Sequence, residues 1–288
     1  MVAADRLDAA AVKEDVQSPF DALAEAYDDA FTHSSLGREL RRAVWQSLDG
    51  LSLAGRRWLD LGCGTGEDAL WLCSRGASVL GVDASPAMLA VAATKARQAH
   101  VYATHLHLAR VDLNQPESLP AACGPGGFDG ALANFGVLNC VADLPRLVAV
   151  LDGLLAPGAP LLVVTMGPFC AWEVAGGLLA GRPGRAARRW RLRRFATASG
   201  QTALRYPSPA TLARDLAPCF IAARRPLALG LLLPPTDMAA FLRRRPAALK
   251  LLGQVEGRIR GLPGAAWLSD HYVIRFHRIP SAATLSAP

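Results

Sequence analysis

Lysine is scarce in this 288-residue sequence. Only Lys13, Lys95 and Lys250 occur, so nearly all of the 31 basic residues are arginine. With abundant Ala and Gly, that has the character of a genomic composition bias rather than of recognition chemistry. Paired cysteines are also missing. Cys63, Cys73, Cys123, Cys140, Cys170 and Cys219 are scattered without a CxxC. The spacing of a zinc or dithiol-redox site is therefore absent, no metal is expected, and buried free thiols are the better reading. No apolar run approaches the roughly 20 residues of a membrane-spanning helix. The first residues are acidic (Asp5, Asp8, Glu14, Asp15) and lack the plan of a signal peptide, so a cytoplasmic location is expected. Repeats and low-complexity tracts are absent. What the chain has in quantity is apolar residues, 51% against 19% charged, enough for a substantial core.

Charge is unevenly placed. Seven arginines and no acid lie between Arg182 and Arg194, leaving 24 basic residues against 24 acidic ones elsewhere. The formal +7 is one local feature. Arg182, Arg185, Arg188, Arg189, Arg191, Arg193 and Arg194 can form a solvated helix face. Beside a tryptophan-bearing apolar stretch, they can also contact an anionic membrane surface. Nucleic acid is the weakest reading, because the rest of the chain is neutral and carries no RNA-binding module.

Residues 1–18 and 281–288 read as tails around a single domain, 19–280. Phe20, Leu23, Ala24, Tyr27 and Phe31 recur at helical spacing, as do Leu36, Leu40, Val44 and Leu48, giving a helical cap over 19–50. From 51 to 166 short apolar runs alternate with helical patterns: "RWLDLG", helix 66–75, "SVLGVD", helix 86–98, "HLHLARVD", "FDGALANFG", helix 143–155, "PLLVVTM". That alternation predicts an α/β fold, a parallel sheet covered by helices on both faces. Gly76 is placed to stop a helix, Ser85-Pro86 and Asp143 to start two more. Beyond 166 the rhythm weakens through 167–262. A possible hairpin, a helix near 209–217, a strand-like "FIAARRPLALGLLL" and a helical stretch over roughly 236–260 precede a closing strand within 263–280.

The chemistry concentrates in "WLDLGCGTGEDALWL", residues 58–72. Gly62, Gly64 and Gly66 suit a strand-to-helix turn that another molecule approaches closely. Dinucleotide binders would need glycine at 67, where Glu67 stands. Asp60, Glu67 and Asp68 would repel a pyrophosphate, so a ligand with a cationic amino group fits better. Asp83 ends the second strand, 21 residues after Gly62, where a carboxylate can accept from ribose hydroxyls. Asp112 and Asn134 end the third and fourth strands, and Asp112 can accept from an adenine amino group. Each has a plain alternative: a helix cap for Asp83, a turn for Asp112 or Asn134, core packing for Tyr27 or Met88.

"LDLGCGTG", "VLGVDASPAML", "ARVDL" and "FDGALANFGVLN" resemble the successive motifs of class I S-adenosylmethionine-dependent methyltransferases, over about residues 20–166. "FDALAEAYDDAF" resembles the N-terminal helix of the ubiquinone- and menaquinone-type, small-molecule branch. The resemblance implies a Rossmann-like, doubly wound, seven-stranded sheet of order 3-2-1-4-5-7-6 with the last strand antiparallel, plus N-terminal helices and a lid insertion. It implies S-adenosylmethionine as cofactor. Gly62 and Gly64 would lie against the methionine part with Asp60 near its amino group, and Asp83 at the ribose. Ala84 and Met88 would pack near adenine, with Asp112 and Leu113 at its edge, Asn134 near the methionine part and Tyr27 closing over it.

Methyl transfer needs placement more than a fixed catalytic motif, and none is evident. Candidate bases are His33, Glu173, His271 and Tyr272, with His33 of most interest; His105 and His107 suit a solvent-facing strand. Phe169, Trp172, Leu178, Leu179, Trp190, Phe241 and Leu242 suggest a lid over a lipophilic metabolite. Two alternatives stay open: an S-adenosylmethionine-binding protein of this fold without methyl transfer, and an RNA methyltransferase. Against an amino-methylating nucleic-acid enzyme, "NFGVLN" lacks the (D/N)PP(Y/F) pattern.

Overall fold

The computed structural model describes residues 20–124, 127–190, 193–197, 200–236, 238 and 245–280. Both expected tails, Arg191 and the side chains of Arg185, Arg193 and Arg194 in the arginine run, and Phe241 and Leu242 of the expected lid lie outside the described parts.

Strands β1 (Arg57–Leu61), β2 (Ser78–Asp83), β3 (Leu106–Arg110), β4 (Gly130–Ala133) and β5 (Pro160–Met166) are parallel. Two more, β6 (Arg193–Thr197) and β7 (Gly200–Leu204), form a separate antiparallel hairpin within the expected lid. Strands β8 (Phe220–Ala222), β9 (Leu227–Leu229) and β10 (His271–Arg278) complete the main sheet. Its order is β3-β2-β1-β4-β5-β10-β8, with β9 also on β10, and β10 runs antiparallel to β5. The expected order is therefore present, but the sheet has eight strands rather than seven. The segment read as one strand, "FIAARRPLALGLLL", is split. Its β8 piece pairs with the end of β10 and its β9 piece with the beginning. Pro226 stands in the break, where it has no N–H to give a ladder.

Neighbouring strand residues serve opposite faces, as a pleated strand requires. Leu59, Leu61, Leu161 and Val163 join one core, while Trp58, Leu162 and Val164 join the other. Both faces are covered, which is why these strands read as unbroken apolar runs. Helix Leu144–Leu154 and helix Pro209–Leu216 pack on the first face. Helices Ser35–Gln46, Glu67–Ser74, Pro86–Gln98 and Pro246–Ile259 pack on the second. Leu36, Leu40, Val44 and Leu48 are all buried there, each worth about 1.5–3 kcal/mol relative to exposure. The caps Ser85 and Asp143 lie where the sequence places them, and Ser208 is a further one; each accepts a backbone N–H three residues on.

One helical expectation needs correction. The stretch from Asp21 is not one α-helix but a 3-10 turn, one α turn (Ala24–Tyr27) and a π turn (Asp28–Thr32). Of the helical stretch expected over roughly 236–260, the described helix is Pro246–Ile259, with proline in its first turn, and residues 237 and 239–244 lie outside the described parts.

Candidate functional site

The carboxyl ends of β1, β2 and β4 converge around the glycine loop. Asp60, in the last turn of β1, is buried. Its Oδ2 has no hydrogen-bond partner among the described residues. Burial, then the nearby Asp68 charge, push its carboxyl well above the usual range, while Arg41 opposes them. A buried acceptor left unmet costs about 1–3 kcal/mol. Asp83, at the end of β2, accepts from Gly64 N–H at 2.8 Å and from Ser85 N–H at 2.9 Å. Burial raises its pKa and these two bonds lower it again, with the net direction upward.

The three glycines answer to different constraints. All have positive φ. A Cβ on Gly62 would lie 2.3 Å from Val137, and one on Gly66 2.9 Å from Ala92, so these two make room for the protein's own packing. A Cβ on Gly64 would meet no atom within 4 Å. Of the three, Gly64 is the one that faces open space, beside the carboxylate of Asp83.

Asp68 was read from sequence only as a charge near the loop. It is buried and accepts from Arg41, from Trp45 Nε1 at 2.8 Å and from Asn134 Nδ2 at 2.8 Å. Asn134 thus reaches the site as a donor to Asp68, and its Oδ1 accepts from Phe135 N–H. Arg41, absent from the sequence reading, is buried against the rings of Phe135 and Phe31. A signal was present: Arg41 follows Leu40 on the inward face of its helix, and Asp68 precedes Leu72 by one turn. Polar residues on an apolar helix face imply a buried partner.

The N-terminal turns close over this loop. Asp28 accepts from Thr65 Oγ1 at 2.7 Å and from Lys95 Nζ at 2.9 Å, and Lys95 also reaches Glu67 at 2.8 Å. Burial would raise the Asp28 pKa, but Thr65 and Lys95 hold it below the usual range. Tyr27 is half-buried, packs on Phe31 and lies within electrostatic reach of Asp68, Asp28 and Asp83; burial pushes its phenol up. Met88 packs with Leu23 and Ala24 under the same turns, so its described contacts are those of core packing. Ala84 is half-buried beside Asp83. Asp112 Oδ1 accepts from Asn114 N–H at 2.9 Å, and Leu113 is buried in the first core.

The candidate bases separate clearly. His33 is exposed and lines a shallow groove with Asp28 and the outer side of helix Pro86–Gln98, where its 3.5 Å partner is Asp29. Glu173 is buried and accepts from Arg188 Nη2 at 2.8 Å and Arg189 Nη2 at 2.7 Å. Tyr272 donates to the Pro207 carbonyl at 2.9 Å, and burial drives its pKa up. His271 bonds through Nδ1 to Asp270 Oδ2 at 3.1 Å, and its ring meets Phe135 edge-on at 6.0 Å.

Two members of the arginine run are not a solvated face. Arg189 is buried, bonds Glu173 and Asp270, and donates to the carbonyls of Gly167 (3.0 Å) and Asp270 (2.8 Å). Arg188 joins it at Glu173. The run itself is a short helix Pro183–Ala186, a 3-10 turn and then β6, not one helix. Cys170, Glu173 and Asp270 bring ligand-type atoms within 4.8 Å of one another, but the Arg189 guanidinium already supplies the positive charge between the two acids.

Residues 59–161 match the family model described as "Methyltransferase domain". A demethylmenaquinone methyltransferase of Thermus thermophilus is 36% identical over 154 residues, 52% of this chain and 64% of that protein. A 2-phytyl-1,4-naphtoquinone methyltransferase of Synechococcus elongatus is 33% identical over 158 residues, 52% of this chain and 63% of that protein. The chain thus spans somewhat under two thirds of these relatives. The crystal structure of an S-adenosylmethionine dependent methyltransferase from Mesorhizobium loti aligns with TM-score 0.51 at 20% identity, covering 86% of this chain and 99% of that one. Residues 59–161 are thus similar in sequence to a methyltransferase domain, and the Mesorhizobium loti structure shares the fold described above.

Proposed function

We propose that the protein transfers a methyl group from S-adenosylmethionine to a small lipophilic metabolite of quinone-like chemistry. The observation that carries the reading is the unmet, buried Oδ2 of Asp60, next to a glycine whose Cβ side is open. A cationic amino group is the donor such an acceptor lacks. Asp83, pinned by two backbone N–H groups, keeps lone pairs for vicinal ribose hydroxyls. Asp112 and Leu113 would flank the adenine. The bound cofactor would supply an activated methyl group; the chain's own work is to hold both reactants in line and exclude water. The quinone-type acceptor is argued from the two relatives named above and from the apolar and aromatic lid residues Phe169 and Trp172.

Membrane contact belongs to the same reading. Leu178, Leu179 and Trp190 are exposed at the lid, and Arg182 beside them is exposed too. Among the described residues no helix is long and apolar enough to cross a membrane. A peripheral contact with anionic lipid would bring the lid to a lipid-dissolved acceptor. Flotation with anionic and with neutral vesicles at low salt tests it: equal recovery with both would remove this part.

The test of the whole is calorimetry with S-adenosylmethionine and S-adenosylhomocysteine on wild type and Asp83→Ala, followed by a screen of reduced naphthoquinones and phenols. Micromolar binding, weakened in the variant, with a methylated product supports the reading. Tight binding with no product across the screen would favour a cofactor-binding protein without methyl transfer, and no binding at all would end the proposal.

A further inference from the structure

Four candidate bases were legible in the sequence, and the structure leaves one with an available lone pair near the glycine-loop acids. His271 opens β10, in register with Met166 at the carboxyl end of β5 and with Leu229 of β9. Because β10 is antiparallel, its first residue stands at the same sheet edge as the carboxyl ends of β1, β4 and β5. Its ring packs on Phe135. Phe135 follows Asn134, lies under the Arg41 guanidinium 5.0 Å away, and has φ +49°, a strained conformation for an aromatic residue. Gly136 beside it is also left-handed at φ +87°. One aromatic ring therefore separates His271 from the Arg41–Asp68 pair.

The rest of the ring's environment is built to orient it. Asp270 Oδ2 takes Nδ1, while Oδ1 of the same carboxylate is held by Arg189, itself tied to Glu173 on the lid helix Ala171–Leu179. Burial would raise the Asp270 pKa, but His271 and Arg189 hold it below the usual carboxylate range. An ionised Asp270 can only accept, so Nδ1 must carry the hydrogen. In the neutral ring Nε2 is then the nitrogen with the lone pair, and no hydrogen bond to it is found among the described residues.

We propose that His271 is the general base of the transfer, with Asp270 as its positioning residue. The proposal rests on the methyltransferase reading above. An acceptor O–H or acidic C–H gives its proton to Nε2. The electron pair released forms the new bond to the methyl carbon. The S–CH3 pair stays with sulfur, which leaves as a neutral thioether, and the imidazolium holds the proton until solvent takes it. Oxidant and reductant are not needed. The arrangement has the logic of a carboxylate-oriented histidine in which the acid fixes the tautomer and never takes the proton.

Nitrogen-15 NMR of histidine-labelled protein tests this without any acceptor, the His271 signal being assigned by its loss in His271→Gln. The expected result is a neutral ring protonated at Nδ1, and Asp270→Asn should shift that tautomer balance. A ring protonated at Nε2 in the wild type would overturn the proposal. Kinetics supply the second arm, with S-adenosylmethionine and a reduced 1,4-naphthoquinone as probe. His271→Gln should lose roughly a hundred- to ten-thousand-fold in turnover while calorimetric affinity for S-adenosylmethionine stays within about twofold. Near-normal turnover in His271→Gln would overturn the base. Absence of S-adenosylmethionine binding in the wild type would instead remove the methyltransferase reading, which the NMR result leaves distinguishable.

Discussion

Two groups of buried acids stand at the same edge of one sheet, and the fold treats them in opposite ways. Around the glycine loop, among the described residues, the buried Asp60 and Asp68 share one buried guanidinium, Arg41, which is committed to Asp68, while the half-buried Asp83 is met by backbone N–H groups. At the lid, Glu173 and Asp270 are met by Arg188, Arg189 and His271. The first group is short of positive charge and the second is balanced. A buried acid with its counter-ions in place is part of the scaffold or of an oriented catalytic pair. A buried acid without them is waiting for a donor from outside, and it costs stability in the meantime.

The contrast can be broken most forcefully at Arg189. Arg189→Ala would leave the buried Glu173 with Arg188 and the buried Asp270 with His271, each short of a partner, and should cost about 3–5 kcal/mol of stability, read as a lower denaturation midpoint. If the loss were under about 1 kcal/mol, the lid acids would not be a balanced group.

Asp60→Asn should do the reverse. It removes an uncompensated buried charge, so the melting temperature should hold or rise, while S-adenosylmethionine affinity falls by roughly 30- to 150-fold, about 2–3 kcal/mol for a lost hydrogen bond to a charge. Calorimetry and a thermal melt on the same variant measure both. A variant that melts lower and binds normally would invert the assignment.

The glycines sharpen the comparison within the loop. Gly62→Ala must push Val137 aside and should destabilise the fold. Gly64→Ala meets open space and should cost only the left-handed strain, about 1–2 kcal/mol, yet weaken cofactor binding more than Gly62→Ala does relative to its stability cost.

pH separates the carboxylates by the direction of their shifts. The raised Asp60 and Asp83 lose charge first on acidification, so cofactor affinity should fall as pH drops through their elevated values, above the ordinary carboxylate pKa near ~4. Asp28 is depressed in the folded state; its stabilising contribution is present above the unfolded pKa and is lost only as pH falls through the lower folded one. Affinity should thus decline before the N-terminal turns loosen, checked by calorimetry and circular dichroism across the same pH series. The smallest effect belongs to His33→Ala, an exposed residue whose 3.5 Å partner is Asp29, and turnover should be unchanged.

Much of this was legible without coordinates, for reasons that are local. Asp60, Asp83, Asp112 and Asn134 each follow an apolar run, so the chain's alternation placed them at strand ends on one edge. Leu36, Leu40, Val44 and Leu48 announced a buried helix face by spacing alone. The break around Pro226 was not read from the sequence, where the segment stood as one strand, although a proline there has no N–H to give a ladder. Arg41 escaped because a single arginine on a helix can as well reach into solvent along its stem. Asn139 escaped likewise, although it takes Thr165 Oγ1 at 2.7 Å and the Met166 N–H at 3.0 Å and gives to the Met166 and Arg205 carbonyls.

By itself the sequence determined the periods, the caps, the order of strand and helix and the acids at the strand ends, because these depend on residues within a few positions of one another. Tertiary structure alone decided which charges meet. Arg41 and Asp68 lie 27 residues apart, and Arg189 and Asp270 lie 81 apart. Such pairings follow from strand order and from how the lid helix seats on the sheet. The same long-range packing decided that Asp60 keeps an unmet oxygen, that Gly64 alone of its loop faces open space, and that Asp270, not solvent, orients His271.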